Sequence, residues 1–392
     1  MKILHIVPTY YPAVRYGGPI KTVHELNKEL VKQGAEVTVY TTNIDGRNNL
    51  NVLLGKPVDV DGVKVYYFPA TFRPWQYSFS LHRALAKNLK SFDLVHITSV
   101  FLAASTLGAY YAKKFKKTYV ISPRGSLMSE TLKKKSFKKS LYLNIIEKCN
   151  LKKAVIHFTT EMEKKEYIGL KLPLRDSIVI PNGINTGELD KNVPAGYFRE
   201  KFNIAQDAKV ILFLSRLSWK KGLDTLIPAF VEVIKKEPKA ILVLAGGDDE
   251  GYKKDIQLLI TDYQLQNKVI FTGMIGGDDK IAAYQDSDVF VLPSYAENFG
   301  NVVLEAAYLG LPVVVTEGVA ISSEIEKAGV GIVVKKEVKE LAEAIFKVLN
   351  DSALALKMGQ SGKKLAETEF IWPRIATEFI RAYDRIIKDK LK

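Results

Sequence analysis

The sequence of 392 residues contains a single cysteine, Cys149. One cysteine cannot form a disulfide within the chain, and it cannot build a cysteine cage around a metal ion. So little cysteine fits a protein of a reducing compartment, and we therefore expect a cytoplasmic location.

Long hydrophobic runs are also missing. The longest stretch without a charged residue, Leu94 to Ala112, is interrupted by His96, Thr98 and Gly108, so it predicts a strand, a turn and a helix rather than a membrane span. The apolar run from Met1 to Pro8 is too short for a signal peptide and predicts a first strand. We expect no transmembrane segment.

Acidic residues are outnumbered by basic ones, 43 against 57, and the formal net charge is +14. Between Leu132 and Lys153, apolar residues interleave with eight lysines, namely Lys133, Lys134, Lys135, Lys138, Lys139, Lys148, Lys152 and Lys153. This pattern is typical of a basic amphipathic segment.

Three interpretations of the basic segment are considered. It would be a solvated helix face, a nucleic-acid site, or a docking site for an anionic membrane surface. The lysines expected at such a membrane surface are Lys133, Lys134, Lys135, Lys138 and Lys139. No stacking-platform or zinc pattern accompanies the charge, so we expect no nucleic-acid partner. The other two interpretations remain open, and the membrane interpretation would place the protein at the inner face of the membrane.

Short apolar runs alternate with helical patterns along the whole chain, which predicts an α/β fold with parallel sheets covered by helices on both faces. In the first half, the predicted strands are Ile3–Val7, Glu36–Thr41, Val63–Phe68, Asp93–Thr98, Tyr119–Ser122, Val155–Thr159 and Ile178–Ile180. In the second half, they are Val210–Ser215, Ile241–Ala245, Val269–Thr272, Val289–Leu292, Pro312–Thr316 and Gly331–Val334. The length suits two domains, each a doubly wound Rossmann-like domain.

We place the first domain at residues 1–185 and the second at 186–372, and we expect the last helix, 373–392, to cross back to the first domain. Ligands of open parallel sheets bind beyond the carboxyl ends of the strands. Two such sheets facing each other predict a cleft between the domains.

Two acidic residues follow the predicted strand Val289–Leu292. Glu297 falls in a loop before a helix that begins near Gly300, and the unpaired N–H groups at that helix start favour an anion. Glu305 lies inside the same apolar helix, where an ionised side chain is unfavourable unless something bonds it. The two acids either share a ligand, or they are a solvated loop acid and a helix acid paired to a neighbouring lysine.

Two cations follow the predicted strand Val210–Ser215. A guanidinium fork at Arg216 and an ammonium at Lys221, close to a helix start, suit a diphosphate. The alternative is a pair of surface cations. The diphosphate interpretation is favoured because one ligand would then use the two cations, the two acids and the glycine-rich loops together.

Three motifs together resemble the retaining glycosyltransferases of family 4, which have the GT-B fold of two Rossmann-like domains facing across a cleft. The motifs are Ser215-Arg216-Leu217 with Lys221-Gly222, Pro181-Asn182-Gly183, and Glu297 with seven residues before Glu305. The resemblance extends over essentially the whole chain, and its most specific part is the segment from Glu297 to Glu305.

The resemblance implies a role for each matching residue. Glu305 would hold the ribose hydroxyls of a nucleotide, Arg216 and Lys221 would clamp the diphosphate, and Glu297 would lie near the transferred sugar. The catalytic residues would thus be Glu297, Arg216 and Lys221. Further donor contacts would come from Gly17, Gly18, Asn298, Phe299, Gly300, Asn301 and, by position, Gly273.

One position departs from the family pattern. Many relatives have a histidine after the strand that here is Tyr119–Ser122, whereas this chain has Arg124 there. Arg124 is our candidate for contact with the acceptor or sugar, and His96 is the alternative. The spacing of Asp286 and Asp288 suggests metal-binding acids, but they precede their strand, so we expect no metal.

The resemblance implies metal-independent transfer of a hexosyl unit from a nucleoside diphosphate sugar to a hydroxyl acceptor, with no cofactor besides the donor. The expected acceptor is a glycan or a lipid-linked glycan in cell-surface polysaccharide assembly. Two alternatives are a sugar-nucleotide epimerase and a non-enzymatic basic protein of the membrane surface. The sequence does not identify the base, the sugar or the acceptor.

Overall fold

The computed structural model describes residues 1–13, 17–128, 132, 137–248 and 251–391. The chain forms two compact units, of which unit 1 comprises Met1–Gly183 with Trp372–Lys392 and unit 2 comprises Ile184–Ile371. The domain boundaries predicted from the sequence lie within two residues of these divisions.

Unit 1 contains an eight-stranded sheet in the order β10-β9-β8-β7-β1-β2-β6-β5. The strands are β1 Lys2–Ile6, β2 Glu36–Thr42, β3 Ile44–Asp45, β4 Asn48–Asn49, β5 Pro57–Val60, β6 Val63–Phe68, β7 Leu94–Thr98, β8 Thr118–Ser122, β9 Val155–Phe158 and β10 Asp176–Val179. The described α-helices are Gly18–Lys32, Phe79–Asn88, Ala103–Lys114, Phe137–Tyr142, Lys148–Leu151, Glu161–Gly169 and Trp372–Leu391. Within this sheet β5 alone is antiparallel, and β3 and β4 form a separate hairpin.

Unit 2 contains a six-stranded parallel sheet in the order β13-β12-β11-β14-β15-β16. The strands are β11 Lys209–Leu214, β12 Ala240–Ala245, β13 Val269–Gly273, β14 Val289–Leu292, β15 Val313–Thr316 and β16 Gly331–Val334. The α-helices are Thr186–Leu189, Tyr197–Lys201, Leu223–Lys236, Tyr252–Asp262, Gly277–Gln285, Asn301–Tyr308, Ser322–Lys327, Val338–Asn350 and Ser352–Glu369.

The α/β fold class predicted from the sequence is confirmed, and every predicted strand overlaps an observed one. The apolar runs are buried because both faces of each sheet carry helices; all four residues of β14, for example, are fully buried. The prediction missed β5, which begins at Pro57. An edge strand tolerates a proline, but a proline argues against a strand when only the sequence is read.

Each sheet reverses its winding once. In unit 2 the chain runs outward from β11 through β12 and β13, then returns to place β14 on the other side of β11. In unit 1 the same reversal occurs between β1 and β7. A crevice opens at such a switch point, so the loops that follow β11 and β14 are where a ligand of unit 2 is expected.

The C-terminal helix Trp372–Leu391 packs on the sheet of unit 1, where Trp372, Ile375, Phe379 and Tyr383 join the hydrophobic core. Among the residues described, no helix combines the length and the apolar character needed to cross a membrane.

Candidate functional site

The loops that follow β11 and β14 touch each other at Gly222. A Cβ built on Gly222 would lie 1.9 Å from the carbonyl oxygen of Pro293, and φ at Gly222 is +71°. The Tyr295 N–H also donates to the carbonyl of Lys220 at 2.8 Å. Only glycine fits this approach, and the contact brings the side chain that precedes it, Lys221, to the loop of Glu297.

The loop of Glu297 is held on its other side by the residues after β15. The Glu297 N–H donates to the carbonyl of Gly318 at 2.9 Å, and the Glu297 carbonyl accepts from Ala320 at 3.0 Å. The Thr316 hydroxyl donates to the carbonyl of Ser294 at 2.7 Å. The backbone on both sides of Glu297 is therefore fixed. Gly318 was not predicted as a site residue, although its position two residues after a predicted strand was a signal.

The Lys221 ammonium donates to the Glu297 carboxylate, and both side chains are partly buried. Burial raises the pKa of Glu297. The charge and hydrogen bond of Lys221 lower it, as do the N–H of Phe299 and the positive charge of Arg216, and the net pKa lies below the ordinary value. The structure thus brings together Glu297, Lys221 and Arg216, and Glu297 stays ionised. Their catalytic roles remain predictions.

The exposed Arg216 is carried by a loop that rests on the glycines after β12. A Cβ on Gly246 would lie 1.8 Å from the carbonyl oxygen of Ser215. The Gly246 N–H donates to the carbonyl of Gly273 at 2.8 Å, and the Leu217 N–H donates to that of Gly247 at 2.8 Å. Gly246 therefore fixes the Arg216 loop, and Gly273 lies beside it at the carboxyl end of β13.

The helix Asn301–Tyr308 begins after Gly300, as predicted, and Gly300 has φ +93°. Asn298 and Asn301 are both half-buried beside this helix start. The Phe299 ring is buried against Phe370, and its N–H donates to the Glu297 carboxylate. In this structure the Phe299 N–H therefore holds Glu297, whereas the sequence analysis assigned it to the donor.

Glu305 is bonded by side chains of the protein itself. The Tyr284 hydroxyl donates to Glu305 Oε2 at 2.9 Å, and Lys280 Nζ lies 2.5 Å from the same oxygen. Both partners come from the helix Gly277–Gln285. The interpretation of a helix acid paired to a lysine is thus correct for Glu305, and a ribose is not needed to explain its place in the helix. Its contact with a ribose remains a prediction.

Gly17 and Gly18 lie at the start of the helix Gly18–Lys32, and Gly17 has φ +79°. No atom of the described residues lies within 4 Å of a Cβ built on either glycine. The predicted contact of Gly17 and Gly18 with a diphosphate remains a prediction.

Arg124 follows β8, and its guanidinium donates to the side-chain oxygen of Asn182 in the Pro181–Gly183 turn. Burial lowers the pKa of Arg124 to about 10, and the nearby charge of Glu163 opposes this. Glu163 also fixes the loop, because its carboxylate accepts from the N–H groups of Gly125 and Thr159, both at 2.8 Å. Arg124 is thus held in place, and its contact with an acceptor or sugar remains a prediction.

Glu163 was not predicted from the sequence as a residue of the site. The Thr160 hydroxyl accepts from the Glu163 N–H at 3.0 Å at the start of the helix Glu161–Gly169. Thr160 and Glu163 have the spacing of a capping box, a pattern that is visible in the sequence.

His96 does not follow a strand; it lies inside β7 and is fully buried. Its Nε2 bonds with Ser122 Oγ at 2.6 Å, and its Nδ1 bonds with the Tyr383 hydroxyl at 2.6 Å. The alternative assignment of His96 to the acceptor or sugar is therefore wrong, because the core of unit 1 occupies all sides of the ring.

Asp286 and Asp288 bind the protein itself. The Asp286 carboxylate accepts from the N–H groups of Gly196 and Phe198, both at 2.8 Å, at the start of the helix Tyr197–Lys201. Asp288 accepts from the Val210 N–H at 2.7 Å and pairs with Arg199 at 3.3 Å. In the part of the chain that the structure describes, no group of three or more metal-ligating side chains is assembled.

Replacing Asp286 with asparagine should destabilise unit 2 by about 2 kcal/mol, because one of its two acceptor oxygens becomes an amide donor facing buried N–H groups. Urea unfolding measures the change, and the exposed Asp262→Asn is the matched control. Equal urea midpoints for the two variants would contradict this structural role.

The basic segment is described only in part. Lys133, Lys134 and Lys135 lie outside the described residues, as does the side chain of Lys138. The Lys139 ammonium lies 5.2 Å from the centre of the Phe101 ring. The predicted membrane contact of these lysines stays a prediction.

Comparison with known families finds two matches in this chain. The family described as "Glycosyl transferases group 1" matches residues 197–365, and "Glycosyltransferase Family 4" matches residues 16–188. An uncharacterized glycosyltransferase of Methanocaldococcus jannaschii is 28% identical over 403 residues, covering 98% of each chain. The alpha-monoglucosyldiacylglycerol synthase of Streptococcus pneumoniae is 27% identical over 336 residues, covering 80% of this chain and 70% of the relative.

Among solved structures, Anabaena HepE in complex with UDP and glucose matches with a TM-score of 0.78 at 20% identity, covering 98% of this chain and 100% of HepE. The two family matches divide the chain much as the two compact units do, and the solved structure shares the fold of the whole chain.

Proposed function

The chain belongs to the glycosyltransferases of group 1, with the GT-B fold, and we propose that it transfers a hexosyl group from a nucleoside diphosphate sugar to a hydroxyl acceptor with retention at the anomeric carbon. One observation carries this proposal. Arg216, Lys221 and Glu297 converge at the switch point of the unit 2 sheet, beside the start of the helix Asn301–Tyr308. Two cations and a helix start suit a diphosphate, and an ionised acid beside them suits a sugar ring.

The reaction breaks the bond between the anomeric carbon and the diphosphate oxygen. Negative charge then grows on the diphosphate and positive charge on the sugar ring. Arg216 and Lys221 would stabilise the first charge, and Glu297 would stabilise the second. Lys221 and Glu297 are already held against each other, and the backbone of the Arg216 loop is fixed. The leaving phosphate would take the proton of the acceptor hydroxyl, whose oxygen bonds to the anomeric carbon on the same face.

The donor is inferred from chemistry and from similarity. HepE, which has the same fold, is described as a complex with UDP and glucose. Arg216 and Lys221 would supply the positive charge that a diphosphate needs, so the transfer that we propose requires no metal ion.

The acceptor that we propose is lipid-linked. The relative from Streptococcus pneumoniae is named for the synthesis of a glucosyldiacylglycerol, and the basic segment offers lysines to an anionic membrane. Transfer to such an acceptor would take part in the assembly of cell-surface glycans.

A nucleotide panel tests the donor. We expect one of UDP, GDP, ADP and dTDP to raise the melting temperature, since a ligand at about 100 times its dissociation constant stabilises the native state by roughly 2.7 kcal/mol. The Lys221→Ala variant should lose most of this shift. If none of the four nucleotides stabilises the protein, the proposed donor class is wrong.

Product analysis separates transfer from epimerisation. With the stabilising nucleotide sugar, a transferase forms a glycosylated product only when an acceptor is present. An epimerase would form free nucleotide and an altered sugar without any acceptor, and that result would contradict the proposal.

A further inference from the structure

Unit 1 exposes four large apolar side chains on two segments that meet where the Trp75 ring contacts the Tyr142 ring. They come from the loop before the helix Phe79–Asn88 and from the segment after Phe137, and we call them the aromatic patch. Its members, with their exposed fractions, are Phe72 at 52%, Trp75 at 61%, Leu141 at 48% and Ile145 at 61%. Large apolar side chains exposed on neighbouring segments are a candidate interaction surface.

Ring contacts join the two parts of the patch. The Trp75 ring centre lies 6.2 Å from that of Phe72 and 6.5 Å from that of Tyr142. The Tyr142 hydroxyl bonds with the Thr106 hydroxyl at 2.6 Å, which anchors the segment to the helix Ala103–Lys114. Leu141 and Ile145 are four residues apart and therefore share one side of their helical segment.

The loop that presents Phe72 and Trp75 is ordered by hydrogen bonds. The Arg73 guanidinium donates to the carbonyl oxygens of Gly46 and Asn48, both at 2.9 Å. The Phe72 N–H and the Tyr77 N–H each bond with the other residue's carbonyl, at 3.1 and 3.0 Å. The two rings are thus held outward by the fold, which prepares them for binding without further ordering.

The stretch of sequence that carries the aromatic patch is strongly basic. Residues 62–160 contain 18 lysines and arginines against three acidic residues, so this part of the chain accounts for the positive excess of the whole. In the described segment from Lys139 to Lys153, the single acid, Glu147, is buried and accepts from the Phe101 N–H at 2.8 Å. No negative side chain of this segment faces solvent, whereas Lys152 and Lys153 do.

We propose that the aromatic patch inserts into an anionic lipid bilayer and seats unit 1 on it. Tryptophan and phenylalanine beside lysine and arginine are the side chains that favour the interface between lipid headgroups and acyl chains. Each basic residue near an anionic surface adds attraction. A protein partner would need matching acidic groups, whereas an anionic bilayer presents negative charge over its whole surface.

Vesicle co-sedimentation of the full chain tests the proposal. We expect binding to vesicles of phosphatidylcholine with 30% phosphatidylglycerol, and at least tenfold weaker binding to pure phosphatidylcholine. Trp75→Ser and Ile145→Ser should each lower the partition coefficient about tenfold. The matched control is Leu356→Ser, which removes a side chain of unit 2 that is 64% exposed, and it should bind like the parent protein.

Fluorescence locates the inserted residue. The chain has three tryptophans, and brominated lipid should quench the emission of the parent protein. In Trp75→Phe the quenching should disappear while most of the binding remains. Circular dichroism melts check that each variant is folded. We expect folded variants, because the substituted side chains are exposed.

Three outcomes would overturn the proposal. The first is undiminished binding by folded Trp75→Ser and Ile145→Ser, and the second is equal binding to neutral and anionic vesicles. The third is a parent protein that does not bind vesicles but self-associates in sedimentation velocity, with Trp75→Ser abolishing the self-association. That outcome would assign the patch to a second copy of the chain. The proposal deepens the lipid-linked acceptor proposed above, but vesicle binding needs neither donor nor acceptor, so each can fail alone.

Discussion

Replacing Lys221 with alanine is expected to lower the transfer rate by at least about a hundredfold and to leave the fold intact. Preorganised charge at the group that gains charge in the transition state typically contributes a factor of this size. Lys221 is the cation best placed for this role, because Gly222 presses its turn against Pro293 and Glu297 holds its ammonium. The helix that follows, Leu223–Lys236, is capped by Gly222, so its start does not depend on the lysine side chain.

Steady-state kinetics with the donor found by the nucleotide panel measures the effect. The control is Lys220→Ala, which removes the neighbouring lysine, whose ammonium lies 5.8 Å from the Trp219 ring. We expect turnover close to that of the parent protein for Lys220→Ala. Unchanged turnover in Lys221→Ala would remove Lys221 from the proposed diphosphate clamp.

The same variant has a second signature. The lowered pKa of Glu297 depends on Lys221, while burial acts in the opposite direction. Without the ammonium, the pKa of Glu297 should rise, and the acid limb of the pH–rate profile should move to higher pH if the ionised form is the active one. A loss of rate without this movement would indicate that Lys221 acts on the donor alone.

Local patterns predicted much of this architecture because both sheets are buried on two faces. A short continuous apolar run such as Val289 to Leu292 is typical of a strand buried on both faces of a parallel sheet, and all four of its residues are fully buried. The cations and acids after β11 and β14 were also predicted, because a parallel sheet brings the carboxyl ends of its strands to one edge.

What the sequence could not provide is the position of helices relative to the sheet. Glu305 is bonded by Tyr284 and Lys280, which come from another helix. The sequence around Glu305 does not indicate these partners. The buried location of His96 likewise depends on strand order, because its partners Ser122 and Tyr383 lie 26 and 287 residues away along the chain.

Lowering the pH from 7 to 4 is expected to unfold unit 1 well before unit 2. Three histidines, His5 in β1, His96 in β7 and His157 in β9, are fully buried in unit 1. Burial lowers the pKa of His5 to about 4 and of His157 to about 3, and it lowers the pKa of His96 well below its usual range. The positive charge of Arg124 acts on all three in the same direction.

The direction of the effect follows from proton binding. In the unfolded chain these histidines take up protons below about pH 6.5, whereas in the folded protein they stay neutral until about pH 4 or lower. The unfolded state therefore binds more protons in this window, and the free energy of unfolding falls as the pH falls. His5 and His157 should each lose on the order of 3 kcal/mol of stabilisation by pH 4. Glu163 and Glu147, whose pKa values burial raises, oppose this loss.

Hydrogen exchange of the full chain, corrected for the intrinsic pH dependence of exchange, resolves the two units. All five histidines of the sequence lie in unit 1, so the strands of unit 2 are an internal reference. Protection of β1, β7 and β9 should fall between pH 6.5 and 4, while β11 and β14 keep theirs.

The stacked rings of His5 and His96, 4.3 Å apart, make the two charges mutually unfavourable. His96→Asn should therefore reduce the pH dependence as well as the stability. His82→Asn, which breaks bonds to Tyr77 and Tyr111 outside this cluster, is the matched control for the loss of a histidine. An equal loss of protection in both units would place the acid sensitivity outside the histidine cluster.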